Sequence, residues 1–305
     1  MSVRLVRFAA MAASFLLAVA CGGAPSASVA ASASSPNPNP PASPAPSPSP
    51  SAATLLLKVT SEGGFINPSA NLAALPIVEV YSDGRIFTPG ALPTVSPGPL
   101  LPGVDVREVG PDGEAAIVAA IKGAGLDQPA TTGQGIPGDA GSDVFLVTFE
   151  GQTTETRLAA GGPPGPGRPG GPGADGSGDP ERGAAFDLLN RLLDQTQTWG
   201  AASAPVTPYA PTAYQIYVAP GAPASDPSTA QASVGWPLSA GLDAFGIPAV
   251  PDRGIAGLRQ GVAFGADAAT LRPILSAATL ATGFTSGGKT YTLYVRPLLP
   301  DELGG

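Results

Sequence analysis

The sequence predicts an α+β fold, antiparallel β-hairpins with about three helices, on three observations. Gly-containing pairs (Asp83-Gly84, Glu150-Gly151 and Gly287-Gly288) interrupt runs of period-two alternation. Apolar residues recur at spacings of three and four in separate segments. Strands and helices do not alternate regularly, so the parallel sheet of a doubly wound fold is not expected.

Folded sequence is expected from Leu55 to Gly305. LLLKVT reads as a strand and IVEVYSDGRIFT as a hairpin. A two-residue type I′ turn at Asp83-Gly84 would set Val80 opposite Phe87. GPDGEAAIVAAIKGAGL reads as a short helix with Ile117, Val118 and Ile121 on one face, stopped by Gly123 or Gly125. SDVFLVTFEGQTTETRL is a second hairpin, with Phe145, Val147 and Phe149 on one face and a Thr-rich outward strand after Glu150-Gly151.

Residues 159–179 are Gly- and Pro-rich and read as a disordered loop. Asp179-Pro180 opens a helix expected to run to Trp199, with Phe186, Leu189, Leu192 and Leu193 as its stripe and Gly200 as its stop. Asp187 and Arg191 stand four apart on its wet side. AYQIYVAP and LRQGVAF are strands, and a helix from Asp267 to about Ala278 holds Pro273, which should kink it. A terminal hairpin closes the chain. The order helix, then Gly-turned hairpin, occurs twice, which suggests two weakly related halves in one sheet or two.

The chain has 305 residues, 37 of them Pro and 41 Gly, so part of its length must be unpacked. Its Ala, Gly, Pro and Arg bias, with only three lysines, is the codon signature of a GC-rich bacterial genome. Histidine is absent, which removes the commonest metal ligand and proton-transfer side chain. Cys21 is the only cysteine, so Cys-rich metal sites and internal disulfides are excluded. A net charge of -8 repels phosphate backbones, so nucleic acid is not an expected partner.

MSVRLVR is followed by FAAMAASFLLAVA, a run too short to span a bilayer but suited to a signal-peptide core. It ends in AVAC and then GG. This resembles the lipobox of bacterial lipoproteins, which implies cleavage before Cys21 and a diacylglycerol on its thiol. The alternative, a secretory signal with a cysteine there by chance, is disfavoured because the one cysteine falls where a lipobox requires it. Residues 1–20 are thus read as a lipoprotein signal peptide. Residues 21–54, the lipidated cysteine and an Ala/Ser/Pro-rich segment, are read as a disordered linker. Fully extended, it would reach on the order of 100 Å. Two or three acyl chains anchor stably where one does not. The expected location is the outer face of the cytoplasmic membrane, with the lipid on Cys21 as the membrane partner.

GFTSGGKT, Gly283 to Thr290, matches the P-loop pattern. A P-loop must lead into a helix, whereas YTLYVRP alternates in period two and soon meets Pro297. The match is read as a hairpin turn, and no nucleotide is expected. Ser286 and Lys289 spell S-x-x-K, but Gly287-Gly288 favour a turn over the helix that penicillin-interacting serine enzymes need. GPGRPG is low complexity. DGSGDPE, Asp175 to Glu181, alternates oxygen side chains as a calcium loop does, but Pro180 stands where an EF-hand has glycine. Tyr209, Tyr214, Tyr217 and Trp236 could line a ligand groove, though such spacings more often serve packing.

GGFINP, VYSDGRIFTPG, GWPL and VRPLLPDE together resemble an uncharacterised group of lipoproteins and secreted proteins from high-GC bacteria. The resemblance implies one continuous folded unit and carries over no catalytic residue. The expected function is a non-enzymatic, membrane-anchored binding or envelope-associated protein, with an envelope protein, peptide or glycan as partner. The alternatives are a His-free glycan hydrolase using two carboxylates and a transporter-linked solute-binding protein. No catalytic residue, cofactor or metal is assigned. Cys21, for lipidation, is the one site residue.

Overall fold

A computed structural model describes residues 53–63, 71–91, 93–129, 141–159, 180–200, 205–223, 231–250 and 254–303. All belong to one compact unit, Pro50–Gly305. Cys21, residues 1–20, most of the linker, residues 160–179 with Asp179, and most of GGFINP, GPGRPG and DGSGDPE lie outside the described residues.

The first half of the chain supplies β1 (Leu55–Glu62), β2 (Val78–Tyr81), β3 (Arg85–Pro89), β4 (Val104–Glu108), α1 (Gly110–Gly123), β5 (Ser142–Phe149), β6 (Gln152–Ala159) and α2 (Pro180–Leu193). The second supplies β7 (Val206–Pro208), β8 (Ala213–Pro220), β9 (Val234–Gly235), β10 (Ile247–Pro248), β11 (Arg259–Phe264), α3 (Gly265–Ala277), β12 (Phe284–Ser286) and β13 (Lys289–Pro297). One helical turn of 3-10 type, Pro300–Leu303, follows. The fold is α+β, as expected: three α-helices among the described residues and two sheets rich in antiparallel pairs.

The first sheet has the order β6-β5-β1-β2-β3-β4-β7, all antiparallel. One face is apolar because every second residue of its inner strands is. Leu57, Val59, Val80, Ile86, Phe145 and Val147 pack against Ile117 and Ile121 of α1 and Phe186, Leu189 and Leu192 of α2. Each such side chain contributes about 1.5–3 kcal/mol by leaving water. The second sheet has the order β10-β11-β8-β13-β12-β9, with only β9 parallel to its neighbour. Tyr214, Ile216, Leu293 and Val295 pack under Leu271 and Leu275 of α3. Pro273 lies inside α3, which continues to Ala277.

Several expectations need correction. Val80 pairs with Ile86, and Phe87 with Glu79. The β2–β3 loop therefore has three residues, Ser82 to Gly84. Gly84 alone is at positive φ (79°), and its N–H donates to Tyr81 O at 3.0 Å. Asp-Gly serves this bulged turn as well as the two-residue one. The one-residue slip puts Ile86 on the helix face with Val80 and sends Phe87 to the far face, beside Tyr81.

α2 stops at Leu193, short of Trp199, because Asp194 folds back: its Oδ1 accepts from the Thr196 N–H at 2.9 Å and the Thr196 hydroxyl at 2.7 Å. Leu188 rather than Leu193 completes the buried stripe. Arg191, expected beside Asp187, lies over the Trp199 ring at 4.4 Å. Strands β4, β7, β9 and β10 were not anticipated.

Arg107 of β4 is almost fully buried and donates to the carbonyls of Leu192, Asp194 and Gln197 at 3.0–3.2 Å. It satisfies Leu192 O, an orphan acceptor at the end of α2, and ties down the turn that follows. The two sheets are joined through Pro300–Leu303, through Leu72 packed with Ala219 and Leu258, and through the Leu100 N–H donating to Ala278 O at 3.0 Å.

Candidate functional site

Charged side chains that interrupt apolar strands mark the polar centre of the molecule. Lys58 of β1 and Glu79 of β2 are cross-strand partners on the face away from α1 and α2, with Tyr81 two residues along on the same face. Glu79 and Tyr81 are fully buried. Tyr81, Phe87 and Tyr209 stack edge to face at 5.3 and 5.2 Å, and Leu299 packs with them. That packing brings Asp301 onto Lys58, 243 residues away in sequence.

Lys58 Nζ lies 2.7 Å from Glu79 Oε1 and 3.0 Å from Asp301 Oδ2. Tyr81 Oη lies 2.6 Å from Glu79 Oε2 and 2.8 Å from Asp301 Oδ1, and accepts the Asp301 N–H at 3.2 Å. A tyrosine hydroxyl has one proton to give. Both carboxyl contacts are therefore hydrogen bonds only when one carboxyl is itself protonated. Glu79 is that carboxyl: burial pushes it up to about 7, against the opposing pull of Lys58 and Tyr81. Tyr81 therefore donates to one carboxyl at a time, to Glu79 when that is ionised and to Asp301 when Glu79 holds the proton.

Burial pushes Asp301 up as well, but hydrogen bonds from Lys58 and Tyr81 win and hold it below the ordinary carboxylate value. Burial would lower Lys58, and its two carboxylate partners raise it instead. The Tyr81 phenol is pushed up by burial and by Glu79. Beside this cluster, Glu302 holds Arg296 of β13 through two contacts at 2.6 and 2.7 Å. The arrangement shares a proton internally. None of Lys58, Glu79, Tyr81 or Asp301 lines either of the two larger described cavities.

Of those two cavities, one of about 540 Å³ opens at one end of the second sheet, lined by Val218, Leu242, Asp243, Arg259 and Lys289 among others. Arg259 is spent on the loop around it, donating to Phe245 O at 3.0 Å and Gly246 O at 2.7 Å. The other, about 310 Å³, lies between the entry to β4, the segment leading into β8, and α3. Tyr209 and Tyr214 both line it. The other two aromatics of the sequence reading go to packing: Tyr217 beside Leu72, and Trp236 edge to face with Phe245 and Phe284.

GFTSGGKT forms the expected hairpin. Ser286 pairs with Lys289 across Gly287 and Gly288, both at positive φ, and the chain enters β13. The Ser286 hydroxyl accepts the Leu242 N–H at 3.1 Å. Among the described residues no group of three Asp, Glu, His or Cys comes together to hold a metal ion, and no helix is long and apolar enough to cross a membrane.

Sequence reasoning missed Lys58, Glu79, Tyr81 and Asp301. The available signal was Lys58 and Glu79 themselves, charges set inside apolar strand sequence. Comparison with protein-family models, with curated proteins and with solved structures finds no match.

Proposed function

We propose that this protein is tethered through a lipid on Cys21 at the outer face of the cytoplasmic membrane and acts there as a non-enzymatic binding protein. Its partner would be an envelope protein, peptide or polysaccharide. The AVAC-GG segment and its lone cysteine support the tether. The binding half of the reading rests on where the close carboxyl pair sits. Glycan hydrolysis through two carboxyls needs them about 5–10 Å apart and flanking a cleft that a sugar can enter. Glu79 and Asp301 instead share one tyrosine hydroxyl at 2.6 and 2.8 Å, with Glu79 fully buried. The larger cavity has one carboxylate in its lining, Asp243, and the smaller has none.

Crosslinking in intact cells followed by pull-down of the tethered chain tests the binding reading. A reproducible envelope partner or glycan is the expected result. Turnover of cell-wall glycan by the purified protein, with no partner recovered, would reverse the assignment in favour of the hydrolase. Radiolabelled palmitate tests the tether: label should enter the parent chain and be lost in Cys21→Ser.

A further inference from the structure

The smaller cavity combines an apolar wall with three unequal polar side chains. Leu101, Pro211, Pro297 and the ring of Tyr209 form most of the wall, and Tyr214, Arg272 and Ser276 stand among them. Arg272 and Ser276 are four residues apart on α3, so they share one face of the helix. Arg272 donates to Pro211 O at 2.6 Å, which positions the guanidinium at the cavity, and both Arg272 and Ser276 are exposed at its mouth. Among the described residues, no carboxylate pairs with it. Tyr214 is fully buried, and its hydroxyl meets no partner among the described residues. A buried hydroxyl without a partner is a rare and costly arrangement in a folded chain.

We propose that this cavity binds a small organic monocarboxylate with an apolar body. The carboxylate lies against the Arg272 guanidinium and accepts from the Ser276 hydroxyl, and a shift that opens the buried Tyr214 hydroxyl to the cavity lets it donate as well. The apolar remainder lies against the prolines, Leu101 and the Tyr209 ring. The charge balance selects this class. One cation and no acid line the space, so a cationic ligand is repelled and a dianion such as phosphate is only half neutralised. Because the cavity is walled by Leu101 and Gly103 before β4 and by α3 over the second sheet, an occupant touches both halves and should stabilise the whole unit. This inference goes beyond the tethering and binding reading and stands without it.

The test titrates the purified full-length chain with benzoate, phenylacetate and 4-methylpentanoate, read by calorimetry and by Tm, with the matching amides and inorganic phosphate as controls. At least one of the three acids should bind saturably with a Kd below about 1 mM and raise Tm. Its amide and phosphate should bind at least about tenfold more weakly, as should the acid to Arg272→Gln. Tyr214→Phe should weaken binding roughly 3–10-fold while its ligand-free Tm is no lower than the parent's, since the substitution removes a partnerless buried hydroxyl. No saturation by any acid up to about 10 mM would overturn the proposal. So would equal binding of amide or phosphate, or unchanged affinity in Arg272→Gln. A lowered ligand-free Tm in Tyr214→Phe with affinity intact would also overturn it, by assigning the hydroxyl to structure alone.

Discussion

Two strand–helix–hairpin units follow one another in this chain, and they dock in opposite senses. In the first, β4 leads into α1 and then the β5–β6 hairpin; in the second, β11 leads into α3 and then the β12–β13 hairpin. Both hairpins turn through two residues at positive φ, Glu150 (52°) with Gly151 (78°) and Gly287 (58°) with Gly288 (74°). The first is fastened by its leading strand, β5 beside β1, and the second by its trailing strand, β13 beside β8. The apolar residues explain the difference. β5 is buried along most of its length and β6 is Thr-rich and largely exposed. β12 is three residues long, and β13 buries Tyr291, Leu293 and Val295 in alternation. Turn chemistry makes the hairpin, and side-chain bulk decides which of its strands lies toward the centre of the sheet.

The docked strands should show the largest effects. Phe145→Ala in β5 is expected to cost about 3–5 kcal/mol and Leu293→Ala in β13 about 2–5 kcal/mol by urea unfolding. Thr153→Ala in β6 and Thr285→Ala in β12 should each stay within about 1 kcal/mol. Equal costs in the two strands of either hairpin would break the contrast.

The junction between the sheets gives the next largest effect, through pH. Glu79 is raised in the folded state to about 7, so the native state holds a proton that the unfolded chain releases near 4.5. The stability this contributes is fully present below about pH 4.5 and is lost as pH rises through 7, up to about 3 kcal/mol. Glu79→Gln should flatten that fall in a series of urea titrations from pH 4.5 to 8. An unchanged slope would remove Glu79 from the account.

The two turns should behave alike despite the opposite docking. No atom lies within 4 Å of a Cβ added at Gly151 or Gly288, so alanine there meets only backbone strain. Each substitution should cost about 1–2 kcal/mol by thermal unfolding, and unequal costs would show that the turns differ in more than position. The smallest effect is a gain. Glu150→Asn should stabilise by about 0.5 kcal/mol, because asparagine tolerates positive φ better than glutamate.

The elements with strong local signals were legible in the sequence. The second and third hairpins, β8, β11 and the cores of α1 and α3 follow from turn residues and periodicity. β2–β3 was read one residue out of register because Asp-Gly fits two turn types, and only the pairing of Glu79 with Phe87 decides between them. β4 escaped notice because its Val-Asp-Val alternation is short and holds Arg107, whose burial depends on α2 ending above it. The polar centre was illegible for a different reason. Lys58 and Asp301 are brought together by tertiary packing alone, and no spacing rule reaches across 243 residues. Tyr209 and Tyr214 stand out in the sequence as aromatics, but that they share a cavity with Arg272 depends on where α3 comes to rest.

Asp301 and Glu302 are neighbours in the chain, yet each is held by a different sheet: Asp301 by Lys58 and Tyr81, Glu302 by Arg296. One helical turn therefore acts as a buckle, and opening either side releases the other. Denaturation should accordingly be all-or-none, with tryptophan signals from Trp199 and Trp236 moving along one shared curve.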